Sequence, residues 1–434
     1  SLAADASWQL RGERIEAQLD NLTMANADAE GTGQVKWHTS DPATSPSKSR
    51  FPGVLDLTAR LTRADGTRVH RYLPLTVNAE ARRYVREAVR AGSASPVDFR
   101  IQGDLDSLPF KSATAPGEFR ISAQLKDVDF DYLPSSFQSA GAAPWPGLRG
   151  FSGQLELDHL ALNIIGGASG VAGAANVRLV EGAVELEDLG GNTTVSVRTR
   201  ATGSASDMLR FVQTSPVNAM TQDVLAMASV GGNAELGLTL KLPLFDLDAS
   251  TVAGTVVFEG NDLRIQPDAP LLARTRGTLA FTEQGFVVLG GNTRVLGGDL
   301  KFEGGLRVNS QANARLQFRG QGVASADGLR DAGLGTVSRL FQNASGSAPY
   351  DVQLGFRGGV PELQVTSNLQ GMALDLPAPL GKTAEASLPL RLDSSVLTVV
   401  DGVARTDRVA LELGSALAPL VVLQYERDIT GPLP

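Results

Sequence analysis

The 434-residue chain has no cysteine, only three histidines and few aromatic residues (6%). Without cysteine there is no disulfide framework, no thiolate metal site and no cysteine nucleophile, and the absence suits an oxidising compartment. His38, His70 and His159 each stand apart from any second ligand at metal-binding spacing, so they are expected to be ordinary strand or surface residues, with no metal or cofactor. No apolar run approaches the ~20 residues of a membrane-spanning helix; the most apolar stretch near the end, Leu417 to Leu423, is strand-sized. There is no basic surplus either: 39 Lys and Arg against 47 Asp and Glu give a net charge of -8. That balance argues against a nucleic-acid partner and offers no membrane-surface patch.

Catalytic motifs are equally scarce. The run Gly166-Gly167-Ala168-Ser169-Gly170-Val171-Ala172-Gly173 has the glycine density of a phosphate-cradling loop, but no lysine follows and no helix pattern begins there, so it reads as a glycine-rich loop or kink. Glu181, Glu185, Glu187 and Asp188 alternate with or flank strand residues and read as solvated sheet face. Gly190-Gly191, Gly231-Gly232, Gly290-Gly291 and Gly297-Gly298 read as tight turns between strands. A glycan-processing enzyme would need two convergent carboxylates and an aromatic platform; the three tryptophans, Trp8, Trp37 and Trp145, lie far apart. The chain is expected not to be an enzyme.

What the sequence has in quantity is alternation. Leu236, Leu238, Leu240 and Leu242 alternate with Glu235, Gly237, Thr239 and Lys241. The same rhythm runs through Leu55 to Leu61, Phe119 to Leu125, Ala314 to Phe318, Val352 to Phe356 and Leu388 to Leu392. Successive strand side chains point to opposite faces, so each stretch is a ribbon with one apolar and one polar side. The fold expected is mostly β: a long, twisted antiparallel sheet curled into an elongated apolar groove, its bends supplied by 47 glycines.

Helices are few. Asn78 caps a helix expected over Ala79 to Ala91, stopped by Gly92, with Ala81, Tyr84, Val85, Ala88 and Val89 as its apolar stripe. A second helical region follows Ser206, with Ser215-Pro216 opening a further helix that carries Val217, Met220, Val224 and Met227 on one side. A third, broken by Gly328, Gly333 and Gly335, lies between Ser325 and Phe341. Three short helices cannot cover twenty to thirty strands, so they read as lids or plugs. Thr39 to Pro52 and Ser139 to Gly150 read as loops. No linker marks a domain boundary, and 1-434 reads as one extended body. Its approximate sub-modules are 1-78 (strands), 79-204 (helix plus strands), 205-321 (helical insert plus strands) and 322-434 (short helix plus strands). The start at Ser1-Leu2, without a signal peptide, reads as an excised portion of a longer protein.

Particular residues carry a resemblance. Tyr72-Leu73-Pro74 ahead of the Ala79 helix, Ile101 to Leu105, Leu108-Pro109-Phe110, Trp145-Pro146-Gly147-Leu148, Ser215-Pro216-Val217, Lys241 to Leu244, Asn261 to Pro270 and above all Ser367 to Lys382 resemble the AsmA-like family of bacterial envelope proteins, in particular its YhdP-like members. The likeness covers about Tyr72 to Leu390, and its residues are mostly turn and packing positions. It implies a periplasmic segment of an inner-membrane-anchored protein of Gram-negative bacteria. Such proteins, with the related TamB-like ones, act as bridge-like carriers of phospholipid between inner and outer membranes. The partners implied are phospholipid, the inner membrane through an anchor outside this segment, and the outer membrane or its proteins.

The residue pattern agrees with that function. Carrying a phospholipid through water exposes roughly thirty methylenes, a cost on the order of 20 kcal/mol. A continuous apolar lining removes most of it and lets the chains slide, because no single contact is strong. The residues expected to face lipid are Phe99, Ile101, Phe119, Ile121, Leu236, Leu238, Leu240, Leu242, Leu316, Phe318, Val352, Leu354 and Phe356. The competing expectations are a closed core between two sheets, and a scaffold or chaperone for outer-membrane proteins that pairs client strands with open sheet edges.

Overall fold

The computed structural model describes residues 1–75, 77–110, 116–138, 141, 143–190, 193–220, 225–246, 249–266, 269–307, 315–332, 336–357, 360–400, 403–415 and 417–428. The molecule is mostly antiparallel β, 63% strand against 12% helix. The chain clusters into two compact units. Unit 1 comprises Ser1–Thr202 with Gly237–Val252, and unit 2 comprises Gly203–Leu236 with Ala253–Pro434.

Unit 1 is a meander. Its strands are β1 (Leu2–Arg11), β2 (Arg14–Ala25), β3 (Ala29–His38), β4 (Val54–Asp65), β5 (Val89–Asp104), β6 (Gly117–Phe130), β7 (Leu148–Asp158), β8 (Ala161–Val171), β9 (Val177–Leu186) and β10 (Thr194–Ser204). Each of β1 to β8 pairs antiparallel with the next, and β9 pairs with β10. The connections differ between the two rims of this sheet. One rim carries a 3-10 turn (Gly66–Arg71) and helix α1 (Ala79–Ala88) between β4 and β5, then a 3-10 turn (Ser135–Phe137) between β6 and β7. The opposite rim carries tight turns, the loop from Thr39 to Gly53 and a 3-10 turn (Leu105–Ser107) after β5. Helix α1 starts where Asn78 Oδ1 accepts from the Ala81 amide at 2.7 Å. It ends three residues earlier than the sequence pattern gives, because β-branched Val89 and Ala91 pair with Phe130 and Asp129 and so begin β5.

Strands β11 (Ser229–Val230), β12 (Asn233–Pro243) and β13 (Thr251–Arg264) follow in sequence; β10 pairs with β12, and β11 antiparallel with β13. Unit 2 continues through β13, β14 (Leu272–Thr282), β15 (Gly285–Val295), β16 (Gly298–Arg307), β17 (Arg315–Ser325), β18 (Ala344–Arg357), β19 (Val360–Ser367), β21 (Leu390–Val400), β22 (Val403–Ser415) and β23 (Ala418–Asp428), each antiparallel to its neighbour. The short strand β20 (Met372–Leu374) pairs with the start of β18 instead. Helix α2 (Ala205–Thr214), capped by Ser204, is followed by α3 (Val217–Met220); α4 (Ala326–Asp331), capped by Ser325, is followed by α5 (Thr336–Leu340). Val224, Gly333 and Gly335 lie outside the described residues.

Two sequence expectations need correction. Gly290-Gly291 is not a turn. It lies within β15, where Gly290 has φ +60° and the register against β16 slips between Val288 and Gly291, so the pair forms a bulge. Leu148 to Gly150 open β7 rather than closing a loop, paired with Val171, Gly170 and their neighbours in β8.

Two separate globules of half the 45.5 kDa mass would together expose about 19,000 Å². The chain exposes 24,937 Å². Exposed apolar side chains on strands, among them Ile165, Val180, Leu289 and Val323, contribute to that area.

Candidate functional site

One pairing register aligns the apolar side chains of unit 1. From β1 to β6 a row runs Ala6, Leu19, Val35, Leu57, Ile101, Phe119, each directly opposite the next. A second, from β3 to β9, runs Gly33, Ala59, Phe99, Ile121, Leu157, Leu162, Leu186. At about 4.8 Å per strand its six steps span roughly 29 Å. Phe99, Ile101, Phe119 and Ile121 sit side by side in these rows, and all four are half-buried rather than enclosed. In a sandwich they would be sealed by a facing sheet.

The strip has built edges. At the helix-bearing rim, Val128, Phe151 and Ala168 form a small core with Val89, Leu125, Phe130, Leu148, Ile164 and Leu179. The stripe of α1 packs there: Ala88 is buried, and Tyr84 meets Phe130 and Phe137 edge-on at 6.5 and 5.7 Å. Burial raises the Tyr84 phenol above its usual value, and its hydroxyl donates to the Tyr132 carbonyl at 2.9 Å. Helix α1 therefore seals the rim. At the opposite rim Phe110, wholly buried, lies over Gly103 and Gly117, where an added Cβ would come within 2.5 Å and 2.3 Å of its ring. Trp37 stacks on Phe51 beside it at 6.2 Å.

Unit 2 repeats the arrangement with a larger cap. One row reads Val256, Leu279, Val288, Gly304, Phe318, Leu354, Leu363. The next reads Gly291, Phe302, Gly320, Val352, Val365, Leu392, Leu411. Large side chains alternate with glycine: a Cβ on Gly304 would meet Phe318 Cα at 2.5 Å, so the ring has room only because its neighbour has none. Towards the helical rim, Leu300, Tyr350, Leu390, Leu411 and Leu413 are buried beneath Leu329 of α4, Phe341, Leu369, Met372 and Leu374. Val352 packs against that core, whereas Phe318 and Leu354 are half-buried beyond it. The side chains of Leu316 and Phe356 lie outside the described residues.

On β12 the alternation is literal. Leu238, Leu240 and Leu242 in unit 1 are half-buried while Thr239 and Lys241 are exposed; Leu236, assigned to unit 2, is half-buried beside exposed Glu235.

The reverse face of unit 1 is a charge ladder. Arg100 pairs with Asp56 across one strand boundary and with Glu118 at 3.3 Å across the next. Arg120 reaches Asp158 at 3.2 Å and Glu156 at 3.8 Å, and Arg60 reaches Asp98 at 3.2 Å. Burial acts to raise the Asp158 carboxyl, but hydrogen bonds from His159 and Arg120 outweigh it and hold the group below its usual range. Exposed pairs of this kind add little stability. They keep this face wet and so fix which face is dry.

Sequence reasoning missed part of the apolar rows. Leu19, Val35, Leu157, Leu162, Leu186, Val256, Leu279 and Leu363 belong to the same rows, and the alternation that singled out their neighbours was present in them too. Only the register shows that they are continuous. Among the described residues no helix is long and apolar enough to cross a membrane.

The family model described as YhdP protein matches residues 1–427. No curated protein and no solved structure matches the chain.

Proposed function

The chain belongs to the YhdP family, and on that premise we propose that it carries phospholipid, shielding acyl chains on its apolar face between the inner and outer membranes of Gram-negative bacteria. The observation that carries this is the row from Ala59 to Leu186, continuous over strands β4 to β9 and half-exposed along its length. Such a face is costly to leave in water, at ~25 cal/mol per Å² of apolar surface. A monomer that retains it has something to lay on it.

The chemistry follows from the lining. Its side chains are aliphatic and aromatic with no polar group converging on them, so contacts are dispersive and interchangeable along the row. Acyl chains are held without selection and move by short steps, while head groups stay in water. In this reading the chain converts nothing, works in the periplasm, and meets membranes at either end of a longer path.

The test is mass spectrometry of the organic extract from the chain purified from bacterial cells without detergent. Near-stoichiometric phospholipid is expected, lost when Leu238 and Leu240 become glutamate. A folded chain that is free of lipid overturns the proposal.

A further inference from the structure

The rim of unit 1 carries a charge pattern that the overall balance conceals. Between Gly66 and Arg90 there are six arginines (68, 71, 82, 83, 86 and 90) against Glu80 and Glu87, so this segment holds +4 in a chain of net -8 and the remainder holds -12. The fold gathers these residues, because α1 packs against the 3-10 turn Gly66–Arg71. Three arginines are already engaged: Arg71 with Asp28 at 2.8 Å, Arg86 with Glu87 at 3.4 Å and Arg90 with Asp131 at 2.9 Å. Among the described residues Arg68, Arg82 and Arg83 make no ion pair, and Arg83 lies over the Phe137 ring at 4.6 Å.

Exposed apolar side chains stand in the same segment. Val69 of the turn and Tyr72 and Leu75 of the link to the helix are 41%, 52% and 89% exposed, and the Tyr72 hydroxyl accepts from Asn26 Nδ2 and donates to Asp28 Oδ2, both at 3.2 Å. Guanidinium groups outside any ion pair, next to exposed aliphatic and aromatic groups, match the interface of an anionic bilayer, where arginine meets phosphate and leucine or tyrosine enters the acyl boundary. We propose that the 3-10 turn Gly66–Arg71, Tyr72, Leu75 and helix α1 dock on an anionic phospholipid surface. This goes beyond carriage on the sheet face and does not depend on it: docking uses α1 and its preceding link, and carriage uses the strands. It also departs from the sequence-level expectation of no membrane-surface patch, because summing charge over 434 residues hides a local excess.

The experiment is vesicle co-sedimentation of the whole chain, with vesicles of phosphatidylcholine containing 30% phosphatidylglycerol against phosphatidylcholine alone. Wild type is expected to bind the anionic vesicles, to release as salt rises, and to ignore the neutral ones. Arg68→Ala, Arg82→Ala and Arg83→Ala together should weaken binding about 100-fold, at roughly a factor of five per arginine. Tyr72→Ser with Leu75→Ser should weaken it at high salt, where the apolar part dominates. Phospholipid content of the purified variants should equal wild type, which separates failure of docking from failure of carriage. Equal binding by wild type and the triple variant, equal binding to neutral vesicles, or equally strong capture of soluble polyphosphate overturns the proposal. Circular dichroism of the variants should match wild type, since all five side chains lie at the surface or in the partly open rim.

Discussion

Ile121→Asp separates an open apolar face from a closed core, and its size can be worked out beforehand. Ile121 lies between Phe99 and Leu157 in the long row of unit 1. A fully buried isoleucine contributes about 1.5–3 kcal/mol, so a half-buried one contributes about 1 kcal/mol. Loss of β preference and of cross-strand contact adds up to about 1 kcal/mol more. On an open face the new carboxylate stays hydrated, and the expected destabilisation is about 2 kcal/mol. In a sealed core the same charge would be stranded without a partner, at about 3–5 kcal/mol or more. Urea unfolding followed by tryptophan fluorescence reads this directly, because Trp8, Trp37 and Trp145 all belong to unit 1. The companion measurement is the lipid content of the purified variant, which should fall several-fold since an acyl chain laid on the row would have to dehydrate the carboxylate. Gln124→Glu, on the wet face of the same strand, should change neither quantity. A loss above about 4 kcal/mol refutes the open face. A loss near 2 kcal/mol with undiminished lipid refutes the use of this face for acyl chains.

Phe110→Ala should cost about 3–5 kcal/mol in the same unfolding assay, because the ring is wholly buried against Gly103 and Gly117. Gly103→Ala, which drives a methyl towards that ring at φ +142°, should destabilise by a comparable amount. Lys382→Met should lower the thermal midpoint, because its ammonium donates to the carbonyls of Leu369, at 2.9 Å, and Met372 and ties down the loop over the unit 2 core. The Tyr350 phenol is pushed up to about 12 by burial. Between pH 10 and 12 the unfolded chain therefore gives up a proton that the folded one keeps, and stability should fall as pH rises through that window. Equilibrium unfolding at stepped pH should show a shallower fall for Tyr350→Phe.

The sequence by itself determined that the chain is mostly antiparallel sheet, the cap at Asn78 and the scarcity of covering helices. These follow from period-two alternation and from side chain to backbone bonds within three or four residues, which are local properties. It misplaced the end of α1 and the role of Gly290, because helix, strand and bulge compete there and pairing with a distant strand decides between them. The tertiary structure alone showed that Val35, Leu57, Ile101 and Phe119 are opposite one another, that Phe110 closes a rim over two glycines, and that Val352 belongs to a cap while Leu354 does not. Register is a relation between segments tens of residues apart, and a slip of one residue would turn every apolar side chain to the wet face. No stretch of sequence carries that information alone, so the pattern supplied the alternating strands and the ladder joined their apolar side chains into rows.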